Sequence, residues 1–271
     1  MNLSLALLQT CASPDLQENL QALDRVLDSF LQEPPDLLVL PEYSLCLGSF
    51  ASMGRAARSQ EEWQALLAGR SRRLGSALLF AGLPLSEDGA VYNSTLVFGP
   101  AGENLARYDK HHLFRWSQGG NAVDEGSFFR PGTMPPTVLH WQGWKIALVT
   151  CFDLRFPAFW QTARPRPDLF LCPAAFTDIT GQAHWRPLLQ ARAIENLAWV
   201  AGVGLGGENQ ETGLALHGNS CVFDPWGELC ADSRQRDSAV VRLALALDRV
   251  SECRRRLPLQ PEDALPLPDK A

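Results

Sequence analysis

Four side chains along this 271-residue chain have the types and settings that nucleophilic chemistry needs. Cys151 closes the apolar run Ile146-Ala147-Leu148-Val149 by way of Thr150, and Phe152, Asp153, Leu154, Arg155, Phe156 and Pro157 follow at once, which does not read as ordinary strand packing. A free thiol, with a usual pKa of about 8.5, is mostly protonated at neutral pH, so a nucleophilic cysteine needs a base or a cation beside it. Three charged residues stand where such help could come from. Glu42 follows the apolar run Leu37 to Leu40, Lys110 follows Tyr108-Asp109, and Glu125 opens the loop that ends at Pro131-Gly132. Lysine is scarce, occurring at positions 110, 145 and 270 among 24 basic residues, so where it appears the chain has use for an ammonium rather than a guanidinium.

Each residue also has a plainer reading. Cysteine is often a small buried hydrophobe, which is the reading for Cys11, Cys172, Cys221 and Cys230 on or beside strands. Glu42 alone suits a loop carboxylate or cap, and Lys110 alone suits a solvated side chain. On residues alone, Cys151 stays open between a core thiol and a nucleophile. Other templates fail. G-V-G-L-G-G (202 to 207) has dinucleotide-site spacing, but Glu208-Asn209-Gln210-Glu211 follows where a helix should start. There is no G-x-S-x-G elbow. His111, His112, His140, His184 and His217 show no metal-ligand spacing, so no metal is expected, and a Cys-His hydrolase using His184 or His217 remains a weak alternative.

The elements that must position these residues alternate between strands and helices. Residues 3 to 9 read as a buried strand, and Ser13-Pro14 as an N-cap followed by a first-turn proline. A helix then carries Leu16, Leu20, Leu23, Val26, Leu27, Phe30 and Leu31 on one face. Residues 36 to 40 form a strand covered on both faces, and a second helix starts at Ser59 with a capping box to Glu62 and a stripe of Trp63, Leu66, Leu67 and Leu74. Strands are predicted over 77 to 83, 91 to 98 and 104 to 108, then a long loop over 110 to 136. The second half echoes the first: I-A-L-V-T-C (146 to 151) against L-A-L-L-Q-T-C (5 to 11), and D-L-F-L-C-P (168 to 173) against D-L-L-V-L-P (36 to 41), each pair separated by a helical segment. These echoes suggest two β-α-β halves about a pseudo-dyad. A helix over 183 to 196, strands near 197 to 204, 219 to 224 and 239 to 246, and a helix over 247 to 256 complete an α/β layered fold, whose ligands sit beyond the carboxyl ends of strands. Glu42 and Cys151 both fall there.

Composition sets the limits. With 46% hydrophobic and 20% charged residues the chain can bury a full core as one large domain. A net charge of −6 and scattered arginines leave no footprint for nucleic acid or an anionic membrane. Seven cysteines without a C-x-x-C pair point to a reducing compartment. The N-terminus lacks a basic leader and no window approaches the ~20 apolar residues of a membrane span, so a cytoplasmic protein is expected.

Taken in order, Leu40-Pro41-Glu42, Tyr108-Asp109-Lys110-His111-His112-Leu113-Phe114 and Cys151-Phe152-Asp153-Leu154-Arg155-Phe156-Pro157 closely resemble the nitrilase superfamily of carbon-nitrogen hydrolases, whose members carry a Glu-Lys-Cys triad in this order. The resemblance runs from the first strand to about residue 257. The stretches 173 to 196 and 217 to 228 resemble the branch of omega-amidases and deaminated-glutathione amidases. It implies a four-layer α-β-β-α sandwich over 1–257, a separate tail over 258–271, a homodimer, and no metal or organic cofactor. It further implies Cys151 as nucleophile, Glu42 as general base, Lys110 as the cation at the oxyanion, and Glu125 as the residue orienting Lys110 and the substrate amide. The Phe152 backbone N–H would add to the oxyanion site, and Arg155 would grip a substrate carboxylate or else pair with Asp153. Phe176, His184 and Trp185 are candidate pocket residues, with core packing the alternative for the last two. The expected partners are a small amide and water, and the expected reaction is hydrolysis of the terminal carboxamide of a small carboxylate such as the omega-amide of a 2-oxo acid. Alternatives are a deaminated-glutathione amidase, a hydrolase of nitriles or N-carbamoyl compounds, and a noncatalytic binding protein on the same fold.

Overall fold

The computed structural model describes residues 1–118, 121–260 and 263. The first half runs β1 (Asn2–Gln9), α1 (Leu16–Asp28), β2 (Leu37–Glu42), α2 (Phe50–Ala56), α3 (Gln60–Leu74), β3 (Ala77–Glu87), β4 (Ala90–Phe98), β5 (Asn104–Asp109) and the hairpin β6 (Arg115–Gln118) and β7 (Asn121–Asp124). The second runs β8 (Thr137–Trp141), β9 (Trp144–Leu148), α4 (Pro157–Trp160), β10 (Leu169–Ala174), α5 (Asp178–Asn196), β11 (Trp199–Gly204), the short pair β12 (Glu208–Asn209) and β13 (Leu214–Ala215), β14 (Cys221–Phe223), β15 (Leu229–Asp232), β16 (Ala239–Ala246) and α6 (Leu247–Arg256).

Two six-stranded sheets, ordered β16-β1-β2-β3-β4-β5 and β15-β14-β11-β10-β9-β8, form the two inner layers. Successive side chains of a strand point to opposite faces, so each buried strand feeds two cores. Leu5, Leu7, Val39 and Leu79 from the first sheet meet Ile146, Leu148, Leu171 and Val203 from the second in the central core. On the outer face of the first sheet, Ala6, Leu8, Leu38, Leu40 and Phe80 pack on α1 and α3. On the outer face of the second, Ala147, Val149, Phe170 and Val200 pack on α5 through Trp185, Leu189 and Ala193. This is the α-β-β-α sandwich that the motifs implied.

The repeat is visible in strand pairing. Each sheet has three parallel strands (β1, β2, β3 and β9, β10, β11) with antiparallel neighbours on both sides. The first echo falls on β1 and β9, the second on β2 and β10. The linkers differ: α1 spans 13 residues, whereas β9 and β10 are joined by a 3-10 turn over Cys151–Arg155 and the four-residue α4.

Several local readings need correction. Asp15, not Ser13, caps α1, its carboxylate accepting the N–H groups of Gln17 and Glu18. Ser13 Oγ instead accepts from the Asp15 N–H at 3.2 Å and donates to Glu18 at 2.6 Å, which leaves Pro14 outside the helix. The run ending at Cys151 is strand only to Leu148. The segment 110 to 136, read as a loop, contains the β6–β7 hairpin and a 3-10 turn at Glu125–Ser127. Elements α2, β8 and β15 carried no reading at all. The capping box at Ser59 is present, with both Ser59 and Glu62 side chains engaged. Of the proposed tail, all but residues 258 to 260 and Asp263 lies outside the described residues; Asp263 pairs with Arg166 at 2.6 Å. No helix among the described residues is long and apolar enough to cross a membrane.

Candidate active site

Glu42 is the last residue of β2, in the first sheet, and Cys151 begins the 3-10 turn after β9, in the second. Lys110 follows β5 and is pinned through its backbone: its N–H donates to Asn93 O at 2.9 Å, and its carbonyl accepts from the Gly132 N–H at 2.8 Å. Glu125 follows β7 and is held the same way, its N–H donating to Phe114 O at 2.9 Å while Phe114 N–H returns to its carboxylate at 2.7 Å.

The Lys110 ammonium is fully buried and sits between the two glutamates. It donates to Glu42 Oε1 at 2.9 Å and to Glu125 Oε1 and Oε2 at 3.0 and 2.8 Å. Two residues that drew no attention in the sequence close this arrangement into a ring. Asn93 Nδ2 donates to Glu42 Oε1 at 2.9 Å and to Tyr43 Oη at 2.7 Å, and the Tyr43 hydroxyl donates to Glu125 Oε1 at 2.8 Å. Glu42 Oε2 accepts from the Ala175 N–H at 2.9 Å, at the end of β10. Every oxygen of both carboxylates thus has at least one donor, as buried polar groups require.

The charges shape one another. Burial alone would lower the Lys110 pKa, but the Glu125 and Glu42 carboxylates override it and hold the ammonium well above its ordinary range. Burial raises Glu125, with the Lys110 charge opposing and Glu42 adding to the rise. Burial also pushes the Cys151 thiol well up; the facing Glu42 carboxylate pushes the same way and Lys110 against it. The resting sulfur is therefore a thiol.

Local backbone serves the site. Tyr43 has φ 61° and Cys151 φ 48°, left-handed conformations that are unfavourable for side chains of this kind and occur where surroundings hold them. Gly82 makes room for the first: a Cβ there would collide with the Tyr43 backbone nitrogen. Asp153 holds the second. Its Oδ2 accepts from Tyr108 Oη at 2.6 Å and Thr150 N at 3.0 Å, its Oδ1 from His112 N at 3.0 Å, and Trp160 Nε1 donates to its carbonyl at 2.9 Å. Asp153 therefore ties the turn that carries Cys151 to the strand that leads into Lys110. It forms no pair with Arg155.

A cavity of about 250 Å³ opens over Glu42, Glu125 and Cys151. Phe50, Phe114, Phe152, Phe176, Leu214 and Leu216 give it apolar walls, and Arg155 lines it as a cation without a carboxylate partner among the described residues. The Arg155 guanidinium lies 5.1 Å from the Phe176 ring centre and 5.9 Å from that of Phe152. Burial lowers its pKa, though guanidinium remains charged. Of the residues predicted for the pocket, Phe152, Arg155 and Phe176 line it. His184 does not: it is exposed on α5, with Nδ1 3.4 Å from Arg155 Nη1. Trp185 is core, its ring tilted at 49° to that of Phe176 with centroids 5.1 Å apart and its Nε1 donating to Asn219 O. His217 faces Asp178 at 3.2 Å and is likewise absent from the cavity wall. Among the described residues no cluster of His, Cys, Asp and Glu could hold a metal ion.

Comparison with known proteins agrees over nearly the whole chain. The carbon-nitrogen hydrolase family matches residues 4–255. A deaminated glutathione amidase of Synechocystis is 33% identical over 269 residues, covering 93% of this chain and 95% of the relative. An omega-amidase of Yersinia enterocolitica is 34% identical over 246 residues, 90% of each chain. Among solved structures, an amidase variant of Nesterenkonia carrying acrylamide on its active-site cysteine superposes with a TM-score of 0.77 at 28% identity, covering 94% of this chain and 98% of that one.

Proposed function

The chain belongs to the carbon-nitrogen hydrolase family, and from that premise we propose that it is an amidase of the omega-amidase type, cleaving the terminal carboxamide of a small carboxylate such as a 2-oxo acid. The observation that carries the reading is a buried ammonium shared by two glutamates beneath a cavity that also presents a thiol and an unpaired arginine.

Glu42 takes the Cys151 proton as sulfur attacks the amide carbon. Negative charge thereby leaves the Glu42 carboxylate and arises on the substrate oxygen. The Lys110 ammonium, losing its grip on a now protonated Glu42, turns to that oxygen, and the Phe152 N–H at the head of the 3-10 turn adds a second donor. Glu42 returns the proton to nitrogen, the carbon-nitrogen bond breaks, and ammonia leaves. Water, deprotonated by Glu42, then attacks the thioester, releasing a carboxylate and restoring the thiol. The cycle draws on side chains and water throughout. Glu125, held by Tyr43 and the Phe114 N–H, keeps the ammonium in place and can accept from the substrate NH₂. Arg155 lines the same cavity, where it suits one carboxylate bidentately.

A deaminated-glutathione amidase differs in needing room and a counter-charge for a second, distal carboxylate. Arg155, the one cavity-lining cation without a carboxylate partner among the described residues, favours the shorter acid, whereas the likeness to the Synechocystis relative favours the longer one. Ammonia release from short omega-amides of 2-oxo acids, with Cys151→Ala as blank, tests the proposal. Arg155→Gln should raise KM at least tenfold for the acid amide and leave a neutral amide of equal length unaffected, the contrast expected when a charge-assisted hydrogen bond is lost. Activity on nitriles or N-carbamoyl amino acids with none on these amides would refute the substrate assignment. Seven free cysteines suit a reducing, cytoplasmic setting, and the exposed Ile194 and Leu229 offer apolar surface for the homodimer expected of the family.

A further inference from the structure

Two segments far apart in the chain contribute to the cavity lining: Leu47 to Met53, which leads into α2, and Asn209 to Leu216, which forms the β12–β13 hairpin. A polar clasp joins them. The Glu211 carboxylate accepts from the Ser49 N–H at 2.6 Å and from Ser52 Oγ at 2.7 and 2.8 Å. Asn209, 7% exposed, donates through Nδ2 to Gly48 O at 3.2 Å. Its Oδ1 accepts the N–H groups of Glu211 and Thr212 at 3.1 and 3.2 Å, which shapes the tip that presents Glu211. Gly48 leaves the space this requires, since a Cβ there would stand 2.8 Å from Glu211 Oε2 and 2.9 Å from Ser52 Cβ.

The other side of α2 is anchored differently. Phe50 stacks on Phe128 at 5.6 Å and meets Phe129 edge-on at 6.3 Å, directly after the turn that carries Glu125. Helix α2 is thus fixed to the catalytic side by aromatic packing and to the hairpin by hydrogen bonds from an exposed carboxylate. The Ser49 N–H and Ser52 hydroxyl hold that carboxyl at about 2, so it stays charged at any working pH. Exposed bonds of this kind open at little cost because water replaces them, and segments held by few of them lie at the low-stability end of a fold.

We propose that the clasp of Asn209 and Glu211 onto Gly48, Ser49 and Ser52 sets the width of the cavity mouth and so selects acyl groups by girth, the hairpin moving away from α2 when it opens. The proposal rests on Cys151 being the nucleophile below this mouth. Neither clasp residue touches the reacting groups; both are positioning residues.

The test reads access to the thiol rather than turnover. The parent protein and the variants Glu211→Ala, Asn209→Ala and Gly48→Ala are treated in parallel with iodoacetamide and with the bulkier N-phenylmaleimide. Rates at Cys151, Cys172 and Cys221 are followed by peptide mass spectrometry. At Cys151 the ratio of bulky to small labelling rates should rise about two- to threefold in the variants, the order expected for losing one exposed charged hydrogen bond, while the buried Cys172 and Cys221 stay unlabelled. An unchanged ratio on a reactive Cys151 overturns the clasp and leaves the amidase reading standing. Labelling of Cys172 and Cys221 in step with Cys151 also overturns it, since the variants would then have loosened as a whole. A parent Cys151 inert to iodoacetamide overturns both.

Discussion

Lys110, the oxyanion cation of the proposed mechanism, is also the centre of the buried charge cluster. Burying an ammonium with two carboxylates is tolerable because each charge has partners, and removing one partner leaves the others uncompensated. Lys110→Met should therefore lower the unfolding free energy by about 3–5 kcal/mol at pH 7, measured by urea titration. The sign of its pH dependence follows from Glu125. Burial already raises its pKa against the opposing Lys110 charge, and losing that charge enlarges the rise, so the stability this carboxyl contributes is present at low pH and lost as pH rises through its folded value. The deficit of the variant should accordingly shrink between pH 7 and pH 5. Its kcat should fall by roughly 10² to 10³, the usual effect of losing one donor at an oxyanion.

At the scale of elements, the site depends on where strands stop. The turn after β9 places sulfur in a left-handed conformation, and Asp153 is the clamp that keeps it there. Asp153→Asn preserves shape but turns an NH₂ toward donors that now meet a carboxylate. It should cost about 1–3 kcal/mol, the penalty of a buried donor left unsatisfied, and lower kcat more than it raises KM; calorimetry and steady-state kinetics together check this. Much of this level was legible from the chain. The apolar runs before Glu42 and Cys151 announced strand ends, and Ser59 with Glu62 announced a helix start, because each signal is contained in a few neighbouring residues. What escaped depends on distant partners. Helix α2 has only seven residues, among them Ser52 and Gly54, and it leans on Glu211, which no local pattern links to it. Tyr43 and Asn93 likewise act on residues far along the chain, so their part in the charge ring leaves no periodicity to read. Sheet-edge strands such as β15 are too short to show alternation.

At the scale of the whole molecule, the spacing between Cys151 and Glu42 follows from the spacing between two sheets, since Glu42 ends a strand of one and Cys151 follows a strand of the other. Leu171, 1% exposed, lies in the core between them. Leu171→Ala should cost about 2–5 kcal/mol through lost burial and a residual cavity, and should also reduce kcat even where the protein remains fully folded, which activity assays well below the melting transition would reveal. A variant equally destabilised in the α1 layer should leave kcat unchanged.

The partition of the reactive groups has a consequence for how this protein could be taken apart. Acid and ammonium lie before residue 136 and the sulfur after it, yet β16, near the end of the chain, returns to pair with β1 along its full length. A split between the halves would therefore yield one piece with sulfur but no proton acceptor and another with an acceptor but an unfinished sheet edge. Reassembly would be self-reporting, because neither fragment could liberate ammonia until that borrowed edge strand had found its place.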